Sequence, residues 1–177
     1  MFKILDNTFL AAARGDIVCT DIMGVVESCY DVAITSDVKC ENEARHGSLK
    51  YPIDKEYENL DSYKKLYDML KRRNVWIGKG ELSSLLRSIF MTHDGIDNYL
   101  VTDDGKAREF IRGVHNDPDV IKILGFVPEE VKVVGTIGLI VHLKEKGRIS
   151  QEVCHQIRLD LENSTFRASR NLLELLG

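Results

Sequence analysis

The stretch YLVTDDGKAREF, Tyr99 to Phe110, passes from a short apolar run to charged residues at a pair of adjacent aspartates. The run NYLVT favours a β-strand, because β-branched and aromatic residues fit a pleated surface, and DDGKAREFIRGV favours a helix directly after it. Adjacent carboxylates repel each other, so Asp103 and Asp104 either cap this helix or belong to a site that holds positive charge. The stretch therefore raises both a fold question and a site question.

Strand-like and helical runs alternate along the rest of the chain. Further strands are predicted for FKIL (2–5), YDVAI (30–34), NVWIG (74–78) and VKVV (131–134). Helices are predicted from residue 9, over 22–29, from Thr35 or Ser36 to about 45, over 55–73, from Gly80 or Glu81 to 91, over 103–114, in a short excursion near 117–128, after Gly135, and over 150–163 and 166–176; residues 46–54 are predicted as a loop. This alternation predicts an α/β fold with a mostly parallel sheet covered by helices on both faces.

Composition fits one globular domain. The chain has 177 residues, of which 44% are hydrophobic and 29% charged, and its net charge of −4 argues against a coat for duplex nucleic acid. Neither a signal peptide nor a membrane span is predicted. The cysteines lie far apart without metal-ligand spacing, so free buried thiols are expected at Cys19, Cys29, Cys40 and Cys154. These features predict a cytoplasmic protein with no membrane partner.

Acidic residues follow several of the predicted strands. Ligands of open α/β sheets bind beyond the carboxyl ends of the strands, so these acids are expected at one edge. Taken singly, each has an ordinary explanation as a helix cap, a first-turn acid or a surface residue. Their convergence is what favours a site, and the residues concerned are Asp6, Glu41, Glu81, Asp103 and Asp104.

Clustered carboxylates repel each other unless a cation lies between them. Mg²⁺ and Mn²⁺ prefer oxygen ligands and commonly couple a few carboxylates to substrate phosphates. Such an ion polarises a phosphoryl oxygen and activates a water molecule for attack on phosphorus. The acidic edge therefore predicts metal-assisted hydrolysis of phosphodiester bonds.

Five segments resemble those of PIN-domain proteins and occur in the same order: ILDNTFLAAARGDI, ITSDVKCE, GKGELSSLL, VTDDGKAREF and VVGTIGLIVHLKEKG. The turn GTIGL and the tail FRASRNLLELL are similar to those of a prokaryotic subgroup, and the resemblance covers essentially the whole chain. It implies a three-layer α/β/α sandwich over residues 1–177, with a helical insertion at about 46–73 and C-terminal helices at about 150–177. It also implies Mg²⁺- or Mn²⁺-dependent cleavage of RNA, and many members are toxins of toxin–antitoxin pairs.

The resemblance assigns roles to individual residues. Matching the catalytic acids are Asp6, Glu41, Glu81 and Asp104, with Asp103 as an additional acid and Thr8 and Thr102 as supporting hydroxyls. Asp6, Glu81 and Asp104 are expected to hold the metal. Asp103 is expected to be a further ligand, an outer partner or the helix cap, and Glu43 competes with Glu41 because the segment that follows is long.

Basic residues close to the acids in the sequence are candidates for substrate contacts. Lys79, Lys106 and Arg108 are predicted to contact the phosphate backbone of RNA. No aromatic platform for bases is evident, because Tyr57, Tyr63 and Tyr67 are expected to pack the inserted helix. The other expected partners are a second copy of the chain and an antitoxin protein. Two alternatives stay open: a PIN-fold binding module with little activity, and a DNA-directed nuclease.

Overall fold

A parallel β-sheet forms the centre of the molecule in a computed structural model that describes residues 1–49, 51 and 55–177. Within those residues the sheet has four strands: β1 (Phe2–Leu5), β2 (Asp31–Ala33), β3 (Asn98–Val101) and β4 (Val133–Val134). Their spatial order is β2-β1-β3-β4, and every neighbouring pair is parallel. The predicted α/β class with a parallel sheet is confirmed.

Ten α-helices connect and cover the strands in the described part of the chain. They are α1 (Asn7–Ala11), α2 (Ile22–Cys29), α3 (Ser36–His46), α4 (Asp61–Arg73), α5 (Lys79–His93), α6 (Gly105–Val114), α7 (Pro118–Leu124), α8 (Thr136–Glu145), α9 (Gln151–Glu162) and α10 (Arg170–Leu173). Shorter turns are the π-helical Ala12–Asp16 and the 3-10 segments Tyr57–Asn59 and Glu174–Leu176. The range predicted as an insertion thus holds a 3-10 turn and α4, and the predicted C-terminal range holds α9 and α10.

Successive strand residues pack into two separate apolar clusters, because side chains alternate between the faces of a sheet. Ile4 and Leu100 belong to one cluster, with residues of α4, α5, α6 and α7. Leu5 and Val101 belong to the other, with residues of α1, α2, α8, α9 and α10. A sheet with an apolar core on each face is compatible with a three-layer α/β/α arrangement.

The predicted strand NVWIG is wrong. Residues 74–78 form a turn, closed by a hydrogen bond from the Ile77 N–H to the Asn74 carbonyl at 3.0 Å. Only Ile77 of the apolar residues in this run is buried, whereas Val75 and Trp76 are exposed. The run was apolar enough for a strand, but only one of its side chains reaches the core.

The helix predicted over residues 166–176 is shorter than expected. The Ser164 hydroxyl accepts a hydrogen bond from the Phe166 N–H at 3.0 Å, and Ser169 then starts α10 by accepting from the Leu172 N–H at 3.4 Å. Serine side chains that bind nearby backbone groups compete with helix, so the regular structure begins at Arg170.

Three further expectations concern the surface. The predicted loop at 46–54 includes residues 50 and 52–54, which lie outside the described residues. All four cysteines are free, as predicted, but only Cys154 is buried, since Cys19 and Cys40 are exposed. Among the described residues, no helix combines the length and apolar character needed to cross a membrane.

Candidate functional site

The carboxyl ends of β1 and β3 meet where the strand order reverses. From β1 the chain moves to β2 on one side and later to β3 on the other side. A crevice forms beyond the strands at such a switch point, and ligands of α/β proteins bind there. Asp6 comes directly after β1, and Asp103 and Asp104 follow β3 after one intervening residue. The sheet therefore brings these three acids to one edge, as the sequence predicted.

Asp6 is the most buried acid of this edge, with 1% of its surface exposed. Its Oδ2 accepts hydrogen bonds from the hydroxyls of Thr102 at 2.9 Å and Thr8 at 3.2 Å. Its Oδ1 is buried and has no hydrogen-bond partner within the described part of the chain. Burial raises the pKa of the Asp6 carboxyl from 3.8 to about 6, although these hydrogen bonds oppose the rise. A buried carboxylate oxygen without a partner is costly, which points to a ligand at this position.

Glu81 lies in the first turn of α5 and faces the same acids. Its Oε2 accepts a hydrogen bond from the N–H of Gly78, the N-cap residue of that helix, at 2.6 Å. Burial raises the pKa of the Glu81 carboxyl from 4.5 to about 7, and the charges of Asp6, Asp104 and Glu41 raise it further. Four acids from four elements are thus within electrostatic reach of one another.

Glu41, and not Glu43, is the acid that α3 directs to this edge. The Glu41 Oε1 accepts a hydrogen bond from the Gly80 N–H at 3.1 Å, at the start of α5. The Glu43 Oε1 instead accepts from the Leu49 N–H at 2.8 Å. Of the two glutamates, Glu41 therefore contacts the start of α5 and Glu43 contacts the segment after α3.

Asp104 and not Asp103 caps α6, whereas one expectation made Asp103 the cap. Asp104 is the N-cap of α6, with its Oδ1 accepting a hydrogen bond from the Ala107 N–H at 2.8 Å. Asp103 turns to the start of α8 and accepts hydrogen bonds from the Thr136 N–H, at 2.9 Å, and from the Thr136 hydroxyl. Asp103 as a cap of α6 is therefore wrong, because its carboxylate ties β3 to α8. Sequence reasoning missed Thr136, which offered no signal beyond its place in GTIGL.

A buried polar network fixes α3 beside the acid edge, and sequence reasoning missed it. Asn42, adjacent to Glu41 and fully buried, donates to the Asn7 side chain at 3.0 Å and accepts from the Arg14 guanidinium at 2.6 Å. The Thr35 and Ser83 hydroxyls share a hydrogen bond of 2.6 Å between α3 and α5. The network holds the helices that carry the acids in fixed relation to each other.

The predicted phosphate contacts differ in exposure. Lys79 and Lys106 are exposed near the starts of α5 and α6. The Arg108 guanidinium donates from Nε and Nη2 to the Thr102 carbonyl at 3.1 and 2.7 Å. Arg108 therefore fixes the end of β3, and the two lysines are better placed to meet a phosphate backbone.

The acids have the chemistry of a hard divalent site, since all their donor atoms are carboxylate oxygens. Among the described residues, however, no group of three or more His, Cys, Asp or Glu side chains lies close enough together to hold a metal ion. Glu41, Glu81 and Asp104 each accept a hydrogen bond from a backbone N–H on one carboxylate oxygen. The buried Oδ1 of Asp6 is the atom that a cation fits best.

A scan against protein-family models, a search of curated proteins and a search of solved structures each found no match to this chain. The function must therefore be inferred from the fold and from the acidic edge of the sheet.

Gly80 leaves space that the site requires. A Cβ atom at this position would lie 2.8 Å from the Glu41 Oε2 and 3.1 Å from a methyl group of Val38. We expect Gly80→Ala to displace the Glu41 carboxylate from the Gly80 N–H and to crowd Val38, which lowers the free energy of unfolding by about 1–2 kcal/mol after the gain in helix propensity. Thermal denaturation of the variant should show a Tm about 2–10 °C lower.

Gly113→Ala is the matched control, because a Cβ at this position of α6 meets open space. We expect this control to be neutral or more stable by up to about 1 kcal/mol, since Ala favours helix over Gly. Equal stability of Gly80→Ala and the wild-type chain would show that α3 and α5 do not need this close approach.

Proposed function

We propose that this chain is a PIN-like, Mg²⁺- or Mn²⁺-dependent endoribonuclease. The observation that carries the proposal is the Asp6 carboxylate, which is buried at the switch point and faces the charges of further acids, and whose Oδ1 has no hydrogen-bond partner among the described residues. Buried like charges are stable together only with a proton or a cation between them. An acidic edge of this kind suits a substrate that is itself a phosphate ester, since a divalent ion joins the two.

Each acid has a role in the proposed site. Asp6, Glu81 and Asp104 hold the metal, while Glu41 and Asp103 support the edge through the starts of α5 and α8. The Thr8 and Thr102 hydroxyls orient the Asp6 carboxylate by donating to its Oδ2. The ion supplies charge stabilisation at the phosphoryl group and activation of the attacking water. The cleavage product should carry a 5′-phosphate.

The direct test is incubation of the purified chain with single-stranded RNA and Mn²⁺, with and without a chelator. We expect cleavage that requires the metal, with 5′-phosphate ends on the products. Parallel reactions with single-stranded DNA and with duplexes distinguish a ribonuclease from a DNA-directed nuclease. Metal-dependent cleavage of DNA alone would contradict the proposed substrate.

A binding module with the same fold is the second candidate. The observation in its favour is that the described residues do not already place three acids around one point. Calorimetry with Mn²⁺, followed by the cleavage assay, separates the two functions. Binding of metal and RNA without turnover would support the module and contradict the nuclease.

Lys106 tests the predicted phosphate contact. Each lost contact with a single-stranded phosphate should lower the slope of log affinity against log salt concentration by about 0.7. We expect this change for Lys106→Gln when binding of a labelled oligonucleotide is followed across a salt series. Arg170→Gln is the control, because Arg170 is exposed on α10 and pairs with Glu174. Equal slopes for both variants would remove Lys106 from the interface.

The toxin role belongs to this proposal as well, together with an antitoxin partner and a homodimer. A small open reading frame beside the gene would support the toxin role. Light scattering of the purified chain would measure its oligomeric state.

A further inference from the structure

An exposed aromatic side chain, Trp76, precedes Gly78, the N-cap of α5, by two residues. Trp76 has 52% of its surface exposed, and its neighbour Val75 has 79% exposed. The indole ring meets the Phe110 ring edge-on, with ring centroids 5.8 Å apart and an interplanar angle of 85°. A large exposed aromatic surface indicates an interaction site, because its contact with water is unfavourable unless a ligand or partner covers it.

The turn that carries Trp76 is held in place at both ends. The Asn74 N–H and side chain both donate to the Leu70 carbonyl of α4, at 2.9 and 3.1 Å. Lys71 donates to the Ile77 carbonyl, and the Ile77 side chain is buried. The indole is therefore presented on a fixed turn, which limits the entropy lost when a ligand stacks on it.

The distance from Trp76 to the site is short. Gly78, whose N–H binds Glu81, is two residues away, so their Cα atoms are at most about 7.6 Å apart. Phe110 lies six residues along α6 from the cap Asp104, which corresponds to a rise of about 9 Å. The aromatic pair is thus linked along the backbone to the starts of α5 and α6, where Glu81 and Asp104 lie.

Exposed lysines lie at the starts of the same two helices. Lys106 is exposed and precedes Phe110 by four residues, so both occupy one face of α6. Lys79 is exposed three residues after Trp76. An aromatic face flanked by cations has the chemistry that binds single-stranded nucleic acid, with bases on the ring and phosphates on the lysines.

We propose that Trp76, supported by Phe110, is a stacking platform for an unpaired base of a single-stranded nucleic acid whose backbone passes Lys79 and Lys106. This inference rests on the proposed function, because it names how the same site receives its substrate. It departs from the expectation that no aromatic platform for bases is evident. The sequence signal was the single tryptophan in NVWIG, which the strand prediction concealed.

The test uses Trp76 as its own reporter, because it is the only tryptophan in the chain. An Asp6→Asn background is expected to slow any cleavage during the measurement by more than about 100-fold. Titration with a short oligouridylate should quench the tryptophan fluorescence, whereas an abasic oligomer of the same length and charge should not. Quenching by both oligomers, or by neither, would overturn the proposal.

Affinity measurements on variants provide the second arm. In the same background, Trp76→Ala should weaken binding of labelled oligouridylate about 5- to 150-fold, the cost of one lost stacking contact. Trp76→Phe should recover most of that loss, and Val75→Ala should stay within about twofold, as expected for a surface change beside the platform. If Trp76→Ala binds as tightly as its parent but changes the oligomeric state, the surface is a protein contact and the stacking proposal fails.

The two proposals fail in distinguishable ways. Quenching by oligouridylate without metal-dependent cleavage by the wild-type chain would retain the platform and remove the nuclease. Metal-dependent cleavage with no effect of Trp76→Ala on affinity would retain the nuclease and remove the platform.

Discussion

Asp6→Asn is expected to lower Mn²⁺-dependent RNA cleavage by more than about 100-fold, since even outer partners of metal ligands typically contribute about 10- to 100-fold. The amide keeps the size of the side chain and its acceptor for the Thr8 and Thr102 hydroxyls, but it removes the charge that a cation needs. Cleavage rates of both chains, measured with saturating metal, would test this expectation. Equal rates would mean that a contaminating nuclease cleaves the RNA.

Loss of activity in this variant should not reflect loss of folding. The raised pKa of Asp6 corresponds to a cost of about 3 kcal/mol for keeping the buried carboxylate ionised above pH 6. The amide removes this cost, while its unpaired N–H groups reintroduce about 1–3 kcal/mol. We therefore expect a Tm near pH 8 no lower than that of the wild-type chain.

Asp31→Asn is the matched control for the cleavage assay. Asp31 is the first residue of β2, so it lies at the amino ends of the strands, whereas Asp6 lies at their carboxyl ends. Asp31 is also exposed. The same chemical change there should leave the cleavage rate within about twofold. A comparable loss in both variants would mean that net charge, and not the site, governs activity.

Metal-free protein should become less stable as the pH rises from about 5 to about 8. Asp6 and Glu81 have pKa values that folding raises to about 6 and about 7. The folded chain therefore binds protons more tightly than the unfolded chain, and this stabilisation is lost as the pH passes through those values. The two groups together account for about 2–4 kcal/mol over this range, or about 5–15 °C in Tm.

Mn²⁺ should reverse the loss. Near pH 8 both carboxylates are ionised and available, so metal at about 100 times its dissociation constant adds about 2.7 kcal/mol. Near pH 5 protons compete with the ion, and the added stability should be much smaller. Thermal denaturation at both pH values, with Mn²⁺ and with a chelator, measures the effect.

The double variant Asp6→Asn with Glu81→Gln is the control for this experiment. It retains the carboxylates elsewhere, including those with lowered pKa values such as Asp97. Its metal-free stability should change less between the two pH values, and Mn²⁺ should not raise its Tm. An equal rise in both chains would locate the metal away from the acidic edge.

The parts of the fold that the sequence predicted depend on local patterns. The runs that form β1 and β3 are apolar. Asp6 follows the first run and Asp103 and Asp104 follow the second, so the sequence predicts both the strands and their ends. The turn at 74–78 could not be predicted, because an apolar run of the right length becomes a strand only if a neighbouring strand accepts its hydrogen bonds. Propensity alone does not contain that information.

The candidate site also has features that the sequence predicts and features that depend on contacts between distant residues. The arrival of acids at one edge could be predicted, because it follows from parallel strands and their order. The choice of Asp104 as cap could not be predicted, since both aspartates stand before the helix. They differ in their contacts: Asp104 accepts from Ala107, whereas Asp103 accepts from Thr136, 33 residues away in the chain. Glu41 was separated from Glu43 in the same way, by the approach of Gly80 across the fold.

The bond between Asp6 and Thr102 also has a consequence for biosynthesis. It joins residues 96 positions apart, and the β1–β3 pairing that supports it closes a loop of similar length. Closing so long a loop costs conformational entropy before the long-range contacts form. Parallel sheets therefore fold slowly. A growing polypeptide that has emerged only as far as α5 has Asp6 and its Thr8 partner but lacks Thr102 and Asp104. The complete acidic edge can therefore form only after β3 has left the ribosome.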